Sequence, residues 1–196
     1  MRVLVFDTET TGLPPKGGLD VNTWPFVVQL SFVEMDTEGG KLTEHDFLVQ
    51  VKGEIPTTEI HGITKSRNNV CGFTFPDVFG IFSQFMARAD IVVGHNVEFD
   101  LNMVRVECRR NGLVFEEPTV VYCTMRANKE RCNLLSAAGF VKYPKLVELY
   151  KFLFQEEPGD LHNALTDVYV CLRCFYKTVL KQDAPSKVLR KITHLK

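Results

Sequence analysis

Residues 2–9 read RVLVFDTE, an apolar run that ends in two acidic residues. The run at residues 2–6 predicts a buried β-strand. Asp7 and Glu9 follow at its end, and because strand side chains alternate between the two faces, both carboxylates point to the same side. Like charges repel unless a cation lies between them, and carboxylate oxygens suit Mg²⁺ or Mn²⁺. The pair is a candidate cation site, although solvated acids at an ordinary strand end give the same pattern.

Two further strands are predicted to follow the first. Residues 26–35 form a second apolar run, the turn sequence EGG follows at residues 38–40, and residues 42–51 return as a third strand. A short glycine turn joins antiparallel strands, so we expect a mixed sheet. The irregular segment 10–23 comes directly after the acidic pair, and it is a candidate loop at the rim of a site.

From residue 75 onward, helical and strand patterns alternate. The predicted elements are a helix around 78–85, a strand at 90–94, a helix at 97–112, a strand at 120–123, and helices at about 146–153, 161–181 and 184–195. This order predicts an α/β fold of three layers, with a mixed central sheet of about five strands flanked by helices. We expect residues 1–196 to form one domain, with a core at about 1–181 and a short basic C-terminal helix at about 184–195.

Composition is that of a globular protein. Hydrophobic residues make up 45% of the chain and charged residues 24%, which excludes a disordered tail, a collagen-like rod and a coiled coil. No apolar run reaches the roughly 18 residues that cross a bilayer, and an acid at position 7 comes too early for a secretory signal. We therefore expect an intracellular protein of the cytoplasm or nucleus that is neither secreted nor bound to a membrane.

The net charge of -1 conceals a charge asymmetry along the chain. Residues 1–60 contain 10 acidic and 4 basic residues (net -6), whereas residues 177–196 contain 1 acidic and 6 basic residues (net +5). The acidic part could supply metal ligands and the basic part could bind a polyanion, although each alone is more typical of a solvated surface.

Six cysteines are scattered along the chain, and only Cys171 and Cys174 lie close together. A zinc site would need a second pair or suitably spaced histidines, which are missing. Both lie inside a helical pattern in which Cys171 shares one apolar face with Val168, Leu172, Phe175 and Val179. We therefore expect them to be buried free thiols.

Two more carboxylates lie near predicted strand-to-helix turns. Asp100 closes the run HNVEFD at the start of a helix, where it could face the same crevice as Asp7 and Glu9 or could simply complement the helix dipole. Asp167 follows His162 by five residues. In one unbroken helix their side chains would lie about 140° apart. They converge if His162 precedes the helix, and then Asp167 could join the acidic cluster while His162 takes a proton from water.

Four segments, taken together and in this order, resemble the signatures of the DnaQ-like exonucleases. They are FDTETTGL at residues 6–13, HGIT at 61–64, HNVEFD at 95–100 and HNALTD at 162–167. The last segment has the H-x-x-x-x-D pattern of the DEDDh subgroup rather than the Y-x-x-x-D pattern of the tyrosine subgroup. The resemblance covers residues 1 to about 180 and implies a ribonuclease H-like fold.

The resemblance implies a metal-dependent 3′-to-5′ exonuclease that hydrolyses phosphodiester bonds at the 3′ end of DNA, RNA or both and releases nucleoside 5′-monophosphates. It implies that two divalent ions, Mg²⁺ or Mn²⁺, are held by Asp7, Glu9, Asp100 and Asp167, with His162 as general base. Two such cations would stabilise both the attacking and the leaving oxygen. Expected partners are single-stranded or frayed 3′ ends, together with a polymerase or repair complex.

The resemblance also implies a pocket for the terminal nucleotide. Its residues would be Thr8, Thr10, Leu13, His61, Asn96 and Phe99. Leu13 and Phe99 can stack or wedge against a base without reading its identity. Phe99 could instead belong to the core, and His61 could instead cap a turn. The basic tail and the arginines at 105, 109 and 110 are candidates for contacts with the nucleic acid backbone.

Two other functions are compatible with parts of the sequence. One is a non-catalytic module of the same fold that binds nucleic acid ends or a polymerase. The other is an unrelated metal-dependent phosphatase for small phosphate esters, which explains the carboxylates but neither the apolar wedge nor the basic tail. The sequence leaves open the choice of sugar, strandedness, metal, pathway and oligomeric state.

Overall fold

The structure, a computed structural model, describes residues 1–159, 161 and 163–194. The strands are β1 (Arg2–Thr10), β2 (Val27–Asp36), β3 (Leu42–Leu48), β4 (Ile91–Gly94) and β5 (Val121–Cys123). The helices are α1 (Thr58–His61), α2 (Lys65–Cys71), α3 (Phe75–Arg88), α4 (Val97–Arg110), α5 (Thr124–Ala127), α6 (Lys129–Cys132), α7 (Leu146–Phe154), α8 (Ala164–Phe175) and α9 (Ser186–His194), and a π-helical segment, Tyr176–Leu180, continues α8.

All five strands form one sheet in the order β3-β2-β1-β4-β5. β2 is antiparallel to both β1 and β3, whereas β4 is parallel to both β1 and β5. The predicted mixed sheet of about five strands flanked by helices is therefore confirmed. Because β1, β4 and β5 run the same way, their carboxyl ends lie at one edge of the sheet, where α/β proteins bind their ligands.

Alternation along β1 divides the core into two layers. Val3 and Val5 pack in the cluster that α7, α8 and α9 cover, whereas Leu4 and Phe6 pack in the cluster that α3 and α4 cover. Both layers are apolar, so neither face of β1 is open to water along this part of the strand. The same alternation governs the polar residues that follow, and it sets the sides on which they lie.

Several predicted boundaries differ from the observed ones. The first strand, predicted at residues 2–6, continues through Asp7 and Glu9 to Thr10 and stays paired with β2. The third strand ends at Leu48 instead of residue 51, because Val49 leaves the ladder and forms an isolated parallel bridge with Phe73. The helix predicted from residue 161 begins at Ala164, because the Asn163 side chain caps it by accepting hydrogen bonds from Leu165 N at 3.1 Å and Thr166 N at 3.4 Å.

The remaining sequence expectations concern cysteines and membrane spans. All six cysteines are free, and Cys171 and Cys174 are buried as predicted. Among the described residues, no helix has both the length and the apolar character that a membrane span requires.

Candidate active site

Three carboxylates meet at the carboxyl edge of the sheet. Asp7 and Glu9 come from the end of β1, and Asp167 comes from the first turns of α8. One oxygen from each carboxylate takes part in a group whose members all lie within 4.8 Å of one another. Three hard oxygen donors at such separations match the ligand preference of Mg²⁺ and Mn²⁺. The three carboxylates converge for two reasons. Asp7 and Glu9 lie on the same face of β1 because side chains alternate along a strand, and α8, which carries Asp167, packs over that face.

Burial makes Asp7 and Glu9 hard to ionise without a cation, and repulsion by neighbouring acids adds to this effect at Asp7. Removal from water raises the pKa of Glu9 to about 7 and is the largest cause of the raised pKa of Asp7. The neighbouring carboxylates of Asp100, Asp167 and Glu9 raise the pKa of Asp7 further. A bound divalent cation would offset both effects by supplying the missing positive charge.

Asp100 joins the cluster from the other face of the sheet. Its carboxylate is buried, and its Oδ1 accepts hydrogen bonds from the backbone N–H of Thr8 at 3.1 Å and from the Thr8 hydroxyl at 2.7 Å. The pairing of β1 with β4 ends at Val5 and Val93, so the Thr8 amide has no partner in β4. Burial raises the pKa of Asp100 to about 7 although the Thr8 bonds lower it. Asp100 also interacts electrostatically with Asp7 and Glu9, although its oxygens do not belong to the group of three.

We expect Thr8→Val to lower activity about tenfold, because the Asp100 carboxylate would lose one charge-assisted hydrogen bond, which is typically worth about 1.5–3 kcal/mol. Valine keeps the volume and the strand preference of threonine, so the fold should persist. The measurement is hydrolysis as a function of Mg²⁺ concentration, with Thr8→Ser as the control that restores the hydroxyl. Equal activity of the valine and serine variants would show that this bond does not position Asp100.

The turn between β4 and α4 is sterically specified. A Cβ at Gly94 would lie 2.9 Å from Val97 Cβ and 3.3 Å from the Phe6 carbonyl oxygen, so only glycine fits without a shift. Asn96 adopts a left-handed conformation with φ of 69°, which asparagine tolerates better than most residues. The Phe99 amide donates to the Asn96 carbonyl at 2.8 Å, and the half-buried Phe99 ring packs against the core under α4.

His61 is part of a hydrogen-bonded chain that attaches α1 to the end of β1. The Thr57 hydroxyl donates to the Thr10 carbonyl at 2.6 Å and lies 2.8 Å from His61 Nε2, and Ile63 N donates to His61 Nδ1 at 3.1 Å. This pattern requires a neutral ring that carries its proton on Nε2, consistent with the lowered pKa that burial gives His61. His61 therefore also ends α1, ahead of the left-handed Gly62.

The residues predicted for the nucleotide pocket differ in how they are placed. Thr8 is buried and its hydroxyl is bonded to Asp100, whereas the Thr10 hydroxyl donates to the Gly12 carbonyl at 2.7 Å. Leu13 is 87% exposed in the loop that follows β1, four residues after Glu9, and an exposed apolar side chain is suited to contact with a base. The predicted general base, His162, lies outside the described residues.

The arginines of α4 hold the loop that follows β1. The Arg110 guanidinium donates to the carbonyl oxygens of Val21 and Pro25, both at 2.8 Å, and of Trp24. Arg109 donates to the Leu19 carbonyl at 3.3 Å. The guanidinium of the third arginine, at position 105, is paired with glutamates 98 and 117. These side chains fix segment 19–25 and the end of α4, so their donors are engaged within the chain.

Sequence reasoning missed two positioning residues, Thr57 and His95. The His95 ring lies directly before Asn96 and bonds to Thr124 at 2.9 Å and to the Pro144 carbonyl at 3.0 Å. Thr57 lies one helical turn before His61. The available signals were the place of His95 directly before Asn96 and the i, i+4 spacing of Thr57 and His61. The other bonding partners are distant in sequence or belong to the backbone, so spacing does not identify them.

We expect the metal-free protein to lose stability as the pH rises from about 6.5 to 8. In the folded state the pKa values of Glu9 and Asp100 are about 7, well above their ordinary values near 4. Because the folded protein binds these two protons more tightly than the unfolded chain, the protons favour folding fully below about pH 4, and this contribution is lost as the pH rises through 7. Burial lowers the pKa values of three histidines, so their contribution to the stability of the folded state increases as the pH rises. This increase is complete by about pH 6.5, the ordinary pKa of histidine, and the residues concerned are His45, His61 and His95.

Thermal unfolding at a series of pH values, in chelator and in Mg²⁺, measures this effect. The decline above pH 6.5 should appear in chelator and should largely disappear with Mg²⁺, since the cation stabilises the ionised carboxylates. A metal-free melting temperature that stays constant or rises over this interval would contradict the raised pKa values.

The five-stranded mixed sheet flanked by helices, with acids at its carboxyl edge, is a ribonuclease H-like fold. Residues 4–175 match the RNase T family of exonucleases, and the chain belongs to this DnaQ-like exonuclease family. A "DNA polymerase III subunit epsilon-like protein" of Rhodobacter capsulatus is 32% identical over 126 residues, which cover 61% of this chain and 16% of that protein. The crystal structure of cell-death related nuclease 4 has a TM-score of 0.68 at 12% identity and shares the fold, with 93% of this chain and 64% of that chain covered. The chain thus spans less than two thirds of the length of either protein.

Proposed function

We propose that this protein is a metal-dependent 3′-to-5′ exonuclease that shortens DNA or RNA and releases nucleoside 5′-monophosphates. The observation that carries the proposal is the meeting of Asp7, Glu9 and Asp167 at the carboxyl edge of the sheet, with Asp100 beside them. Membership of the exonuclease family supports the same chemistry. The match of all four sequence signatures to the DEDDh pattern is the reason for proposing this direction of attack.

The carboxylates are suited to Mg²⁺ or Mn²⁺, because they are hard donors and because burial without a cation raises their pKa values. Asp7, Glu9, Asp100 and Asp167 would hold two such ions. When bound, divalent cations neutralise phosphate charge and make an attacking water more acidic.

The chain itself would supply the proton acceptor and the position of the strand end. We assign His162 as the general base that accepts a proton from the attacking water, since a free imidazole titrates near neutral pH. Leu13 and Phe99 would contact the terminal base, and Asn96 would be held for contact by its left-handed backbone. The Thr57–His61 chain would support the Thr10 end of β1 under the terminal nucleotide.

We propose that the protein acts inside the cell. Six free cysteines, four of them buried, are typical of a reducing compartment. The relative from Rhodobacter capsulatus carries the name of a polymerase subunit, so a polymerase is the protein partner to test first, by co-purification. The substrate partner that we propose is the 3′ end of a nucleic acid strand.

The test uses 5′-labelled single strands of DNA and RNA, paired and mismatched DNA ends, and each of Mg²⁺ and Mn²⁺. A ladder of products shortened by single nucleotides is expected, and it should vanish with chelator or in Asp7→Ala. The matched control strand carries a 3′-phosphate and should resist attack if the enzyme starts at a free 3′ end. A strand degraded from its 5′ end would refute the proposed polarity.

Two outcomes would favour the other functions. A protein that binds strand ends yet leaves every substrate intact with both metals would be a binding module. A protein that hydrolyses small phosphate esters but no oligonucleotide would be a phosphatase. The three clustered acids, Asp100 near them and the exposed Leu13 in the loop after β1 support the exonuclease over both.

A further inference from the structure

A short hairpin at residues 134–142 has no part in the function proposed so far. Leu135 and Val141 form an antiparallel bridge, Ser136 N donates to the Phe140 carbonyl at 2.8 Å, and Lys142 N donates to the Leu134 carbonyl at 2.8 Å. Gly139 closes the turn with φ of 78°. Backbone bonds therefore define the position of Phe140 directly after the turn, and its side chain belongs to none of the hydrophobic clusters formed by the described residues.

Two aromatic rings of this region are exposed to solvent. The Phe140 side chain at the tip is 76% exposed, and that of Tyr143 just after the hairpin is 50% exposed. Exposed aromatic rings leave apolar area in water, and such rings are a common feature of surfaces that bind a ligand. An aromatic ring offers a flat face on which an unpaired nucleobase can stack regardless of its identity.

The charge around these rings is complementary to a polyanion. Residues 124–145 contain five basic side chains, Arg126, Lys129, Arg131, Lys142 and Lys145, and one acidic side chain, Glu130. Lys142 is paired with Glu148 and Lys129 with Glu130, whereas Arg126, Arg131 and Lys145 form no ion pair with the described residues. The ammonium group of Lys129 lies 5.2 Å from the centroid of the Tyr143 ring, so a cation and a stacking face occur together. This combination is typical of single-strand binding surfaces.

The hairpin is attached to the elements that carry the candidate active-site acids. His95 follows β4 and donates from Nε2 to the Pro144 carbonyl at 3.0 Å, while its Nδ1 lies 2.9 Å from the Thr124 hydroxyl. Burial lowers the pKa of His95 to about 4, so the neutral ring donates at one nitrogen and accepts at the other. The Thr124 hydroxyl also lies 3.6 Å from Cys171 Sγ, one helical turn after Asp167.

These contacts place the hairpin at the edge of the sheet where the acids lie. β5 runs parallel to β4, so the chain leaves β5 at the carboxyl edge and reaches the hairpin through α5 and α6. His95 lies five residues before Asp100 in the same strand-to-helix segment. A strand whose 3′ end reaches the acids can therefore pass over the hairpin.

We propose that the 134–142 hairpin, together with Tyr143, is a stacking platform for single-stranded nucleic acid upstream of the 3′ end. Phe140 and Tyr143 stack on unpaired bases, and Arg126, Arg131 and Lys145, which are not ion-paired to the described residues, contact phosphates. The orientation of the strand rests on the proposed function, whereas binding to the platform can be measured without it. A base pair hides the faces of its bases in the helical stack, so the platform selects single strands over duplexes.

The test compares Phe140→Ala with the wild type on two substrates. The long substrate is an oligonucleotide of about 16 nucleotides, which is a typical upper size for single-strand sites. The short substrate is a dinucleotide, which is too short to reach the hairpin. We expect KM for the long strand to rise about tenfold, the effect of losing one stacked base, with kcat changed less than about twofold. Hydrolysis of the dinucleotide should not change. Val114→Ala is the matched control, because Val114 is an exposed apolar residue in the loop after α4, at the opposite edge of the sheet.

A second variant, Phe140→Trp, measures binding directly. The introduced indole should be quenched when an unlabelled oligothymidylate is added in chelator, and KM should stay near the wild-type value because an aromatic ring is retained. The native Trp24 is buried and also fluoresces. The same titration of the wild-type protein measures the fluorescence of Trp24 alone, which is subtracted.

The results separate the two proposals. If Phe140→Ala keeps the wild-type KM on the long strand and the indole is not quenched, the platform is refuted while the exonuclease proposal stands. If the wild type hydrolyses neither substrate, the exonuclease proposal fails and quenching alone decides the platform. Equal quenching by a blunt duplex would refute the selection for single strands, and an indole that responds only to a protein partner would assign the hairpin to protein binding.

Discussion

Asp7→Asn is expected to abolish hydrolysis and at the same time to stabilise the metal-free protein. The carboxylate of Asp7 has three acidic neighbours, and its pKa is raised by burial and by all of them. Asparagine has nearly the same shape but no charge, so the repulsion at this point disappears. We expect the melting temperature in chelator to rise by about 3 °C, which corresponds to about 1 kcal/mol for a domain of this size.

Loss of activity follows from the same change. A neutral amide is a poorer ligand for Mg²⁺ than a carboxylate, and a loss of about 4 kcal/mol of transition-state stabilisation lowers the rate about 10³-fold. Metal-dependent stabilisation should shrink together with activity. Glu116→Gln is the control, because it removes the charge of an exposed carboxylate in the loop after α4. A variant that is less stable than the wild type in chelator would show that Asp7 has a favourable partner among the chain's own residues.

His162→Ala is expected to lower turnover by about 10²–10⁴-fold, the usual contribution of a general base, while leaving metal binding intact. The assignment comes from the HNALTD signature, in which His162 precedes Asp167. Asp167 contributes an oxygen to the carboxylate group, so Asp167→Ala should weaken both turnover and metal binding. The two variants thus separate proton transfer from cation binding.

The measurements are single-turnover hydrolysis and thermal unfolding over a Mg²⁺ titration. In His162→Ala, Mg²⁺ at a hundred times its dissociation constant should still stabilise the protein by about 2.7 kcal/mol. The acidic limb of the pH–rate profile should also flatten, since the group that must be deprotonated is gone. Equal loss of metal stabilisation in both variants would assign His162 a role in holding the cation and would refute its role as the base.

The fold was predictable from sequence because its signals are local. The period of two along β1 predicted which way Asp7 and Glu9 face, and apolar runs predicted all five strands. Two of the boundaries that differed depend on contacts that periodicity does not mark: Val49 pairs with Phe73, which is distant in sequence, and the start of α8 depends on a local side-chain cap at Asn163.

The candidate site was only partly predictable, for the same physical reason. The strand-to-helix turn left open whether Asp100 faces the acids or complements the helix dipole. Its bonds to Thr8 join residues 92 positions apart, and no local pattern indicates them. The 134–142 hairpin is held by a few backbone bonds and one bridge, so it has no repeating pattern to detect. Contacts made by side chains across the tertiary structure were the part that sequence could not predict.

The early end of β4 has a consequence for insertions in the chain. β1 continues to Thr10, but β4 pairs with it only as far as Val5, and Asp100 takes the backbone amide that a longer β4 would have used. Two residues added to β4 would supply a competing carbonyl to that amide and fill the gap through which Asp100 reaches the acids. The same two residues added to the loop at 111–119, at the far edge of the sheet, would leave the acids untouched. Tolerance to added length therefore differs sharply between the two ends of α4.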